Sequence, residues 1–146
     1  MDIIAANDWE RPVYFAASAG TGDFIGLEKF VRMEGFAYRL VPYSTENAEP
    51  GEIGEVDSDI MYDNVMNKMV WGRMNEPDVI IEENNRRQIS IIDIRGTLAR
   101  LADKLTLEGK KDKAQEVLKN EMENAVQLAV RLETDIHTGE TWYDAK

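Results

Sequence analysis

Cysteine is absent from the chain. That excludes disulfides, Cys-ligated zinc, iron–sulfur clusters and a thiol nucleophile. Histidine occurs once, at His137, so one chain cannot build a two-His metal site or a His–His acid/base pair. Proline is scarce, with four residues. No apolar run approaches the roughly 18 residues that a bilayer-spanning helix needs. The first nine residues carry no basic region and no long apolar stretch, so they do not read as a signal peptide. Positive charge is in deficit: 17 Lys and Arg stand against 28 Asp and Glu, a net charge of −11. Such a chain repels a phosphate backbone and an anionic membrane surface, so neither nucleic-acid binding nor direct membrane insertion is expected. What remains is ordinary for a globular domain: 146 residues, 43% of them hydrophobic and 31% charged.

The first third reads as strand, helix, strand. Residues 12–17 are rich in β-formers, with Pro12 at the strand start where its missing N–H is tolerated. Phe24, Leu27, Phe30 and Val31 recur at helical spacing, with Asp23 as the expected N-cap and Gly35 as the expected C-cap. Residues 36–43 form the second strand. A strand, a short helix and a strand predict a βαβ-like unit of two parallel strands.

Residues 44–64 carry seven acidic side chains and no Lys or Arg. An exposed loop is expected to about Val56, then a helix from about Ser58 to Trp71 with Met61, Tyr62, Val65, Met66 and Met69 on one face. Further on, Ile91, Ile94, Leu98, Leu101 and Leu105 step by three and four. The turn 108–111 then leads into Ala114, Val117, Leu118, Met122, Ala125, Leu128 and Leu132. A turn this short makes the two helices antiparallel neighbours. Ala102, Gly109, Ala114 and Leu118 match a tetratricopeptide-repeat pattern, although the closing Pro and a second copy are missing. The alternative is a generic αα-hairpin. The expected organisation is α+β: a small α/β unit with its acidic loop and helix over 1–83, a repeat-like helical hairpin over 84–134, and a polar tail over 135–146.

Several local patterns fail as sites. The stretch GTGDFIG over residues 20–26 superficially resembles a dinucleotide loop, but its last spacing is one residue too long and Asp23 would face the phosphates. The segment from Asp57 lacks the oxygen ligand, glycine and glutamate that a calcium loop requires; capping of the following helix is the better reading. No serine lies in a nucleophile elbow. No catalytic, metal or cofactor residue is assigned. Trp9, Tyr14, Tyr38, Tyr43 and Trp71 are the candidate ligand or partner surface, because aromatic faces stack on sugar rings; core packing is the alternative for the same residues.

Four blocks carry a family resemblance. DIIAANDWERPVYFA (residues 2–16), IGLEKFVRMEGFAYRLVP (25–42) and VDSDIMYDNVMNKMVWG (56–72) precede the helical hairpin. Together they resemble a soluble C-terminal segment of large bacterial membrane proteins of unknown function, grouped with protein O-mannosyltransferase-like glycosyltransferases. The resemblance spans roughly residues 2–122. It implies a non-catalytic domain at the periplasmic face of the inner membrane, with the catalytic acid in an upstream membrane domain. It also implies two partners: that membrane domain, and an acceptor protein or peptide. The alternative is a freestanding helical-repeat interaction module unrelated to glycosylation.

Overall fold

The computed structural model describes residues 2–19, 21–45, 52–70, 76, 78–80, 82–87 and 94–124. The chain divides into two compact units, Met1–Met69 and Val70–Lys146.

The first unit is built on a four-stranded mixed sheet. After helix α1 (Asp2–Asn7) come β1 (Tyr14–Ala16), β2 (Val31–Met33), β3 (Ala37–Leu40) and β4 (Glu55–Val56), ordered β1-β3-β2-β4. The fold is α+β, as the sequence predicts. Its strand topology corrects the expected parallel βαβ unit, because β1 and β3 pair antiparallel, with Tyr14 opposite Arg39 and Ala16 opposite Ala37. β2 and β3 form an antiparallel hairpin, and β2 pairs parallel with β4.

The helix expected over residues 23–35 is replaced by two 3-10 turns, Thr21–Phe24 and Glu28–Phe30, and by β2 itself. Ile25 and Gly26 both take positive φ, 52° and 80°, which no right-handed helix accommodates. From Val31 onward the burial alternates: Val31 and Met33 are inside, and Arg32 between them is partly exposed. A β-branched residue followed by period-two burial favours a strand. Gly35, at φ 138°, sits in the tight turn joining β2 to β3 and caps no helix.

The register places Phe15, Tyr38, Met33 and Val56 in a row across one face of the sheet. Phe24 packs on this row, 5.1 Å from the Phe15 ring and 5.5 Å edge-on to Tyr38. Val31, Leu40, Val41, Met61 and Val65 complete the buried apolar set of this unit. Each such side chain contributes about 1.5–3 kcal/mol on burial. Helix α2 (Ser58–Asp63) starts where expected, with the Asp57 carboxylate accepting from the Ile60 N–H at 3.0 Å. It runs on into a π-helical turn, Asn64–Lys68, and Asn64 donates its side-chain amide to the Glu34 carbonyl at 2.7 Å. Thr45 ties the chain beyond β3 back to β2, donating its hydroxyl to the Val31 carbonyl at 2.8 Å.

The second unit contains α3 (Glu83–Arg87) and the helical hairpin α4 (Arg95–Leu107) and α5 (Lys111–Asn124). Leu98, Leu101, Ala102, Leu105, Ala114 and Val117 are buried. Of the two adjacent apolar positions expected on α5, Val117 is fully buried, while Leu118, the one matched to the repeat pattern, is 36% exposed. The turn is a Schellman arrangement. Lys110 N–H donates to the Leu105 carbonyl at 2.8 Å, Gly109 N–H donates to Thr106 at 3.0 Å, and Gly109 takes φ 77°. The polar tail 135–146 with His137, and the apolar positions Ala125, Leu128 and Leu132, lie outside the described residues.

Candidate functional site

The second face of the sheet is polar, and the same register builds it. Tyr14, Arg39, Arg32 and Glu55 lie side by side across all four strands. Cross-strand neighbours on one face are close enough for their side chains to interact. Glu34, two residues after Arg32, projects to this face from the end of β2 and is buried, with only 4% of its side chain exposed.

A buried carboxylate needs charged or hydrogen-bonding partners. Glu34 has three. Arg32 donates from Nε at 3.1 Å and makes a second, closer contact through Nη2. The Tyr14 hydroxyl donates at 3.1 Å. The Arg39 guanidinium stands 3.7 Å away. Arg32 also reaches outward, pairing with Asp57 at 3.1 Å and donating to the Tyr43 hydroxyl at 3.2 Å. Asp57 thus caps α2 with one carboxylate oxygen and holds Arg32 with the other.

The electrostatics follow from this packing. Partial burial pushes the Tyr14 phenol above its ordinary value, and the adjacent Glu34 charge and hydrogen bond push it further the same way. Burial works against the Arg32 charge, but hydrogen bonding to Glu34 and the charges of Glu34 and Asp57 outweigh it and raise its pKa. The guanidinium and carboxylates at the centre are therefore committed to one another. The groups that face solvent are the Tyr14 and Tyr43 rings and Arg39, each roughly half exposed.

This arrangement divides the aromatic set named from sequence. Tyr14 bonds the Glu34 end of the Arg32–Glu34 pair and Tyr43 bonds the Arg32 end. Tyr38 points to the opposite face and is buried in the core. Trp9 is exposed in the turn after α1, at φ 61°, and among the described residues no hydrogen bond or ring contact joins it to the cluster. Trp71 lies outside the described residues. The charged members of the site, Arg32, Glu34, Arg39 and Asp57, are the ones sequence reasoning missed. For Arg32 and Glu34 the signal was the alternation Val31-Arg32-Met33-Glu34, which a period-two reading separates into an apolar and a charged face.

Among the described residues no cluster of three or more acidic, His or Cys side chains is arranged to hold a metal ion. Within the same residues, no helix is long and apolar enough to cross a membrane.

Residues 1–60 match the model of the family described as TMEM260-associated domain 2. That stretch contains the whole sheet and every residue of the polar face. No curated protein and no solved structure matches the chain.

Proposed function

We propose that this chain is a non-catalytic accessory domain of a glycosyltransferase-like membrane protein, placed at the periplasmic face of the inner membrane. There it positions an acceptor protein or braces the membrane domain. The observation that carries this reading is the match of residues 1–60 to TMEM260-associated domain 2. It agrees in direction with the resemblance of residues 2–122 to soluble segments of O-mannosyltransferase-like membrane proteins.

The chemistry of the polar face supports an accessory role. General acid–base work needs a carboxyl or phenol free to exchange a proton with a reacting group. Glu34 instead lies beneath Arg32 and Tyr14, saturated by their donors. Asp57 is taken by Arg32 and the α2 N-terminus. These carboxylates organise the sheet face, and the exposed groups around them are contact groups.

The test is to supply the purified chain with lipid-linked sugar and acceptor peptide, with the intact membrane protein as positive control. No turnover is expected from the chain alone. Deleting residues 10–122 from the intact protein should abolish or redirect transfer. Turnover by the isolated chain at a rate near that of the intact protein would refute the proposal.

A further inference from the structure

We draw no further inference here: the strongest candidate, the exposed outer edge of β1 at Tyr14, is blunted by Pro12, which has no N–H to give, and by the turn in which the Ala19 N–H takes the Ala16 carbonyl, and nothing in the structure shows what strand would cover it.

Discussion

Two glycines with nearly the same backbone conformation separate strain from steric conflict. Gly54, at φ 70°, lies just before β4, and Gly109, at φ 77°, ends α4. A side chain at either position meets the left-handed backbone penalty, about 1–2 kcal/mol for an L-residue. At Gly109 that is the whole effect, because among the described residues a Cβ there has no neighbour within 4 Å. At Gly54 the same Cβ would sit 2.9 Å from the Val31 carbonyl oxygen and 3.1 Å from the Tyr38 ring. Neither neighbour can give way easily. The Val31 oxygen belongs to β2 and accepts the Thr45 hydroxyl, and Tyr38 is wedged against Phe24 in the core. Overpacking of this kind adds about 1–3 kcal/mol. Gly54→Ala should therefore cost about 2–5 kcal/mol and Gly109→Ala about 1–2 kcal/mol. Urea unfolding should be followed by near-ultraviolet circular dichroism for the aromatic core of the first unit and by far-ultraviolet signal for the helices. Gly54→Ala should shift the aromatic transition far more than Gly109→Ala shifts the helical one. Equal, small shifts for both would show that β4 does not pass this close to Val31 and Tyr38, and the sheet order would need revision.

The remaining predictions concern the polar face and the hairpin. Glu34→Gln should destabilise the chain by about 2–4 kcal/mol in urea unfolding, somewhat below the full penalty for a broken buried pair because Arg32 is a fifth exposed. The apolar double variant Arg32→Met/Glu34→Leu should recover much of that loss, and a double variant as unstable as the single one would contradict the argument. Tyr14 should ionise above its ordinary pKa of 10.0 in an alkaline ultraviolet titration, read as the difference between the wild type and Tyr14→Phe. Because the folded chain holds that proton more tightly than the unfolded chain, the contribution is present below the unfolded pKa. It is lost as pH rises through the folded one, and Tyr14→Phe should abolish this part of the alkaline destabilisation. In the hairpin, Leu101→Ala should cost about 2–5 kcal/mol. Leu118→Ala, on the exposed flank of α5, should cost less than about 1 kcal/mol by thermal melting.

The features readable from sequence are those whose causes are local. The hairpin was legible because Leu98, Leu101 and Leu105 repeat at helical spacing along α4, and because Gly109 at the turn satisfies a requirement set by its own φ. The Asp57 cap was legible for the same reason, since an N-cap bond spans three residues. The sheet was legible in part, since β1 and β3 lie within the expected strands 12–17 and 36–43. β2 and β4 are three and two residues long, too short for period two to stand out against period 3.6, and the antiparallel pairing has no local signal. Phe24, Leu27, Phe30 and Val31 fit a helical stripe on spacing alone. Only packing decided otherwise, by sending Phe24 onto Phe15 and Tyr38 and Val31 into a strand beside Leu40. The same holds for the polar face. Tyr14, Arg32, Glu34 and Arg39 are ordinary residues scattered over 26 positions until antiparallel pairing sets Tyr14 and Arg32 on either side of Arg39. Glu34 is charged like any surface glutamate in sequence, and only the neighbours that the register brings to it can hold that charge out of water.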